Sequence, residues 1–230
     1  MIFYQLIEAE TSTYTYLLAD ETTREAILID TVLECVDRDL KLLSEMGLTL
    51  KYVLDTHVHA DHITASGELR KRTGAKICLS FRANVPCIDV ALHDGDELHF
   101  GSYHLEALET PGHTDSCMSF KIADMIFTGD VLLVRGTGRT DFQQGSPEKM
   151  YQSIHEKIFK LAGATKIYPG HDYKGFTYSS VELEKKFNPR VGGNITLAEF
   201  KQIMSDLKLA YPKKIDIAVP ANMNCGLTTN

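Results

Sequence analysis

Short apolar runs bounded by turn residues set the rhythm of this chain. Runs rich in β-branched and aromatic residues at 14–18, 26–29, 52–54, 76–79, 105–108, 118–122 and 125–127 predict strands. A shorter run, Lys166-Ile167-Tyr168, precedes a Pro-Gly turn. Between them the apolar spacing lengthens. Val36, Leu40, Leu43 and Met46 recur at helical intervals, and Gly47 follows as a stop. Residues 63–73 form a second helical pattern that ends at Gly74 in the same way. Ser146-Pro147 starts a third helix, with Ser as the cap and Pro in the first turn. Thr196 and Glu199 form a capping box ahead of Phe200, Ile203 and Met204.

Strands come first, then strands and helices alternate, then a more helical tail follows. That order predicts an α+β (α/β) protein whose sheets are covered by helices. The pattern changes near residue 175, and Asn188-Pro189 and Gly192-Gly193 interrupt it. We therefore expect a core over 1–175 and a C-terminal extension over 176–230, packed on the core within the same structural domain.

Composition narrows the function. A formal charge of -7, from 24 Lys+Arg against 31 Asp+Glu, disfavours nucleic-acid binding, which rests on neutralising phosphates. No apolar stretch reaches the roughly 18 residues of a membrane span. The start, Met1-Ile2-Phe3-Tyr4-Gln5, has neither the charge nor the apolar run of a targeting leader. Five cysteines, an odd number, argue against a disulfide framework, and Cys117 and Cys225 read as small buried thiols. The expected setting is a reducing cytoplasm, with no membrane and no nucleic acid.

Nine histidines change the picture. Directly after the strand run 52–54 comes Thr56-His57-Val58-His59-Ala60-Asp61-His62. Three imidazoles and a carboxylate in six residues form a donor set for Zn²⁺ or Fe²⁺. Three later strand ends carry turns with one His or Asp each: Pro111-Gly112-His113, Thr128-Gly129-Asp130 and Pro169-Gly170-His171. Four such turns on one chain point to a shared metal. Asp30, at the end of the run 26–29, reads as a residue that orients the ligand loop.

The pattern His57-x-His59-x-Asp61-His62, then His113, Asp130 and His171, resembles the metallo-β-lactamase superfamily. The resemblance implies an αββα sandwich of two facing mixed sheets with helices outside and the metal at one edge. Within that superfamily the chain resembles the persulfide dioxygenases over nearly its whole length. The matching segments are HVHADHIT at 57–64, RGTGRTDFQQG at 135–145, YPGHDYKG at 168–175, Asn188-Pro189-Arg190 and PANMNCG at 220–226. Thr137 and Gly170 depart from that family, where Cys and Ala are frequent.

The resemblance implies an Fe(II)-dependent oxidation of glutathione persulfide with O₂ and water to sulfite and glutathione. It assigns one iron to His57, His113 and Asp130. His59, Asp61, His62 and His171 would then hydrogen-bond the ligands or bound water, or else build a second metal site. A net acidic protein that takes an anionic substrate needs local positive charge. Arg139 is the leading candidate to bind substrate, followed by Arg135 and Arg190. Each could instead form a structural ion pair, and Asp141 is a candidate partner. Tyr173 is placed to donate a hydrogen bond to sulfur or oxygen. A homodimer is among the expected partners. The alternatives are a binuclear thioester hydrolase resembling glyoxalase II, with two Zn or mixed metals, and a silent metal-binding scaffold.

Overall fold

The computed structural model describes residues 1–227. Among these described residues twelve strands form two sheets of six. The first contains β1 (Ile2–Glu8), β2 (Thr13–Ala19), β3 (Glu25–Ile29), β4 (Thr49–Leu54), β5 (Lys76–Ser80) and β6 (Val90–Leu92), in that order. Pairing is antiparallel from β1 to β3 and parallel from β3 to β6. The parallel steps need crossovers, which α1 (Val36–Glu45) and α2 (Ser66–Thr73) supply between β3 and β5.

The second sheet contains β7 (Glu97–Phe100), β8 (Tyr103–Glu109), β9 (Met118–Ile122), β10 (Met125–Gly129), β11 (Lys166–Pro169) and β12 (Ser179–Ser180). Only β10 and β11 are parallel, and α3 (Pro147–Glu156) lies in the connection between them. The tail forms α4 (Val181–Phe187), α5 (Leu197–Ser205) and α6 (Ile215–Asn222).

Burial explains the layering. Side chains alternate across each strand. Tyr16, Leu18, Ile27, Ile29 and Leu54 of the first sheet meet Phe100, Leu105, Phe120 and Phe127 of the second in a central core. The opposite faces are equally apolar. Leu17, Leu28 and Val53 pack under Val36 and Leu43 of α1 and Leu69 of α2. Ile126 and Ile167 pack under Met150 and Ile154 of α3, joined by Phe200 and Met204 of α5. Two sheets, each buried on both faces, give the αββα sandwich. Of the tail, the described residues 176–227 contribute β12 to the second sheet and α5 to this outer layer.

The strand runs and the helix starts fall where the sequence puts them. Ser146 Oγ accepts the Lys149 N–H at the head of α3, and Thr196 and Glu199 form the capping box of α5. One boundary moves. Residues 63–65 are not helical, because their backbone is taken by other segments. Leu33 N–H donates to the Ile63 carbonyl, Thr64 N–H to Asn222 and Ala65 N–H to the Thr31 carbonyl. The reading of unpaired cysteines is corrected. Cys225 is bonded to Cys87 across 138 residues, and Cys35, Cys78 and Cys117 remain free. Among the described residues, no helix is long and apolar enough to cross a membrane.

Candidate metal centre

Four strand ends converge on one edge of the sandwich. The loop after β4 carries residues 57–62, the turn after β8 carries His113, the end of β10 leads to Asp130, and the end of β11 leads to His171. Backbone bonds lock these ends together. Met118 N–H donates to the Thr56 carbonyl, Gly170 N–H to Gly129 and Tyr14 N–H to Gly170. Gly129, at φ 51°, lies where a Cβ would meet Thr56 Oγ1 at 2.4 Å, so only glycine fits.

Asp30 anchors the ligand loop. Its Oδ1 accepts the Thr56 N–H at 2.7 Å and its Oδ2 the Thr56 hydroxyl at 3.0 Å. That hydroxyl has given away its only proton, so it accepts from His57 Nδ1 at 3.0 Å. The lone pair of His57 is left on Nε2. His113 is oriented by the same logic. Its Nδ1 lies 2.8 Å from the Arg139 carbonyl, which can only accept, so Nδ1 carries the proton and Nε2 the lone pair. Asp130 Oδ2 lies 3.8 Å from His113 Nε2, while Oδ1 bonds His171 Nδ1 at 2.7 Å. Donor atoms of His57, His113 and Asp130 lie within 4.8 Å of one another. Two imidazole lone pairs and one carboxylate oxygen fit a divalent first-row metal.

His171 is held between two carboxylates. Its Nε2 lies 2.9 Å from Asp61 Oδ2 and 3.0 Å from the Thr13 hydroxyl. Burial opposes charge on this ring, but Asp130 and Asp61 outweigh it and raise its pKa well above the ordinary value. Burial likewise works against ionising Asp130 and Asp61. The imidazoles around them win and hold both carboxylates below the usual range.

His59, Asp61 and His62 form a second cluster of donors within 4.8 Å. His59 Nδ1 and His62 Nε2 are buried with no hydrogen-bond partner. His59 Nε2 lies 3.1 Å from Asp30 Oδ1. Burial lowers its pKa, Asp30 more than compensates, and the ring is raised to about 9. Asp30, Asp55 and His59 also lie close together. Asp55 is already satisfied by the hydroxyls of Thr64 and Ser66, and Asp30 by Thr56. That group is a structural network.

A cavity of about 440 Å³ opens over the centre, lined by His113, Asp130, His171, Tyr173 and an apolar wall of Phe142, Leu209, Pro212 and Ile215. Tyr173 is 71 % exposed and its ring stacks parallel to His171 at 6.0 Å. Arg135, Arg139 and Arg190 all line the cavity, in different states. The Arg139 fork grips Asp141 at 2.6 and 2.7 Å, donates to the Ala210 carbonyl and lies 4.5 Å over the Phe142 ring. Arg190 donates to the Thr137 carbonyl at 2.6 Å. It has no carboxylate partner among the described residues. Arg135 is exposed at a left-handed turn, φ 57°, with its backbone N–H on Glu184.

Sequence reasoning assigned no role to Thr13, Lys174 or Asn222. Lys174 adds a cation to the cavity wall beside Tyr173. Asn222 lies in the quoted 220–226 run, so the signal was present. Thr13 heads an ordinary strand and carries none.

A family model for the metallo-beta-lactamase superfamily matches residues 9–80 and 84–171. The human mitochondrial persulfide dioxygenase ETHE1 is 49 % identical over 231 residues, covering all of this chain and 90 % of that protein. A human hydroxyacylglutathione hydrolase-like protein is 34 % identical over 183 residues, covering 76 % of this chain and 60 % of that one. The crystal structure of ETHE1 from Myxococcus xanthus superposes with a TM-score of 0.96 at 54 % identity, over 99 % of this chain and all of that one. With identity this high from end to end, the chain belongs to the metallo-beta-lactamase superfamily and, within it, to the persulfide dioxygenase family.

Proposed function

We propose that the chain is an Fe(II)-dependent dioxygenase that converts glutathione persulfide, O₂ and water to sulfite and glutathione. The observation that carries this reading is how the ring nitrogens are spent. His57 and His113 each have Nδ1 engaged and Nε2 available beside Asp130, whereas His171 has both nitrogens on carboxylates. His57, His113 and Asp130 would hold the iron. Fe(II) supplies the redox chemistry that lets a persulfide react with dioxygen.

The protein supplies orientation and charge. Asp30 and the Arg139 carbonyl fix the two imidazoles through Thr56 and directly. His171 and Asp61 bind no metal in this reading. They hold Asp130 in place and ionised. Arg190, Arg135 and Lys174 attract the carboxylates of the substrate, and Arg190, half-buried and unpaired with acid, makes the strongest contact. Arg139 shapes the wall through Asp141 and Phe142. Tyr173 presents its hydroxyl at the mouth, where a substrate sulfur enters. In this reading residues 1–175 are the core and the tail from residue 176 belongs to the same domain, which is supported by Leu209, Pro212 and Ile215 lining the cavity.

The test is elemental analysis beside oxygen uptake with glutathione persulfide. One iron per chain with persulfide-dependent uptake is expected. Two tightly held zinc ions in the active form would overturn it. A binuclear thioester hydrolase is the second reading, favoured by the unpartnered nitrogens of His59 and His62. It requires hydrolysis of a glutathione thioester without oxygen uptake.

A further inference from the structure

We propose that Asn222 is the positioning residue of the metal-ligating loop, and that the Cys87–Cys225 disulfide holds it in register. The inference rests on the reading that this loop carries the metal site. The loop, residues 57–64, has no helix or strand of its own. A segment with so few internal bonds takes its shape from its partners. At its start Asp30 holds Thr56. At its end the partner is Asn222.

The Asn222 side chain is buried at the last position of α6 and uses its main hydrogen-bonding groups on this one loop. Its Nδ2 donates to the His59 carbonyl at 2.8 Å and to the His62 carbonyl at 2.9 Å. Its Oδ1 accepts the Thr64 N–H at 2.9 Å. The amide therefore bridges residues 59, 62 and 64 and fixes the curvature that turns the imidazoles of His59 and His62 inward. It touches neither the cavity nor a proposed iron ligand, so it acts only through the backbone of these residues. Removing it leaves two buried carbonyls and one buried N–H without partners, which the loop relieves by moving.

The segment bearing Asn222 is pressed onto the same stretch backbone to backbone. Gly67 N–H donates to the Cys225 carbonyl at 2.8 Å. Gly226, at φ 74°, lies where a Cβ would meet the Thr64 carbonyl oxygen at 1.9 Å, so no other residue fits. Apart from these bonds, the segment is held by a small apolar cluster of Val58, Ile77, Leu79 and Val85 with Val219 and Met223. Cys225, three residues after Asn222, adds the covalent tie. Its partner Cys87 lies in the loop between β5 and β6, on the sheet that carries the ligand loop. Cys87 is half-buried and within reach of a small reductant, whereas Cys225 is buried.

The experiment compares the full-length wild type with Asn222→Asp, Asn222→Ala and Cys87→Ser. Asp keeps an acceptor for Thr64 but sets a carboxylate oxygen against the His59 and His62 carbonyls. Both Asn222 variants should lose iron to a chelator roughly 10–100-fold more readily than wild type. The visible spectrum of the cobalt(II)-loaded protein should shift. KM for glutathione persulfide should hold while kcat falls, because the cavity wall is untouched. A folded Asn222 variant with wild-type iron retention and cobalt spectrum overturns the proposal.

Hydrogen–deuterium exchange on the wild type covers the case where a variant fails to fold. A phosphine such as tris(carboxyethyl)phosphine converts the disulfide to two thiols and becomes the phosphine oxide, its oxygen coming from water. Reduction, or Cys87→Ser, should speed exchange at 57–67 and 222–226 and leave β8–β10 unchanged. Unchanged exchange at 57–67 overturns the role of the disulfide. These exchange rates are read with and without metal. If His57→Ala retains iron, the metal-site reading fails while the coupling of the two segments is judged independently.

Discussion

Gly138 gives the sharpest test of how the centre is built. It lies in the RGTGR run that passes behind the proposed ligands. Its N–H donates to the Asp130 carbonyl at 2.7 Å, and the next carbonyl, of Arg139, sets the ring of His113. A Cβ added at 138 would lie 2.4 Å from the Asp130 carbonyl oxygen and 2.9 Å from His113 Nδ1. Its backbone is not left-handed, so alanine is excluded by contact and not by conformation. Two ligand-bearing segments must part to admit one methyl group. Overpacking of this kind costs about 1–3 kcal/mol of stability. Displacing His113 from the Arg139 carbonyl should weaken metal retention roughly 10–100-fold, equivalent to about 1.4–2.8 kcal/mol.

Gly136 is the internal control. A Cβ there meets nothing within 4 Å, and its backbone is also not left-handed. Gly136→Ala should be neutral or add about 0.4–1 kcal/mol by restricting the unfolded chain. The assay is iron retention against a chelator with thermal melting of both variants. If Gly138→Ala kept its iron as wild type does, the packing of this run against His113 and Asp130 would not govern the centre.

Three further outcomes are expected. Arg190→Ala should raise KM for glutathione persulfide about 10–150-fold, as expected for one lost charged hydrogen bond of about 1.5–3 kcal/mol, with iron content unchanged; an unaltered KM removes Arg190 from substrate binding. Arg139→Ala should lower stability by about 1–2 kcal/mol through the lost ion pair and ring contact, and Asp141→Asn should reproduce part of that loss; a KM effect larger than that of Arg190→Ala would reverse the two roles. In metal-free protein the His59 pKa is raised from 6.5 to about 9, so its contribution is full below pH 6.5 and disappears as pH rises to about 9; melting from pH 6 to 9.5 should show that fall in wild type and a flatter profile in His59→Gln.

Legibility in the sequence followed burial. Strands buried on both faces, such as β2, β3 and β10, read as runs of apolar, β-branched and aromatic residues and stand out. The strands missed lie at sheet edges or are very short. β1 is half-exposed throughout, and β12 is two residues long. Helix α6 was hidden by Pro220 in its interior, and α4 by a short, charged sequence. The seven His and Asp residues stood out because ligand-type residues at strand ends are rare. The partners that orient them did not. Which ring nitrogen is free depends on Thr56, on the Arg139 carbonyl and on two carboxylates that only the fold assembles. The Cys87–Cys225 bond, 138 residues apart, was likewise beyond any local pattern, whereas the Asp141 grip on Arg139, two residues away, is the ion pair the sequence offered.

The distribution of hydrogen bonds argues for a division of labour that ligand identity alone does not. A superfamily with seven shared donors can hold one metal or two, so chemistry turns on which donors are already occupied. In this chain His171 is committed at both nitrogens, to Asp130 and to Asp61. Freeing it for a second metal means breaking two charge-assisted bonds in a buried site, each of the stronger class of protein hydrogen bond. His57 and His113 face no such cost, since the bonds they make leave Nε2 available. The mononuclear reading therefore rests on a competition that can be measured. His171→Gln removes the imidazolium while keeping a donor for one carboxylate. It should loosen Asp130 and reduce iron retention, without lowering metal stoichiometry from two to one.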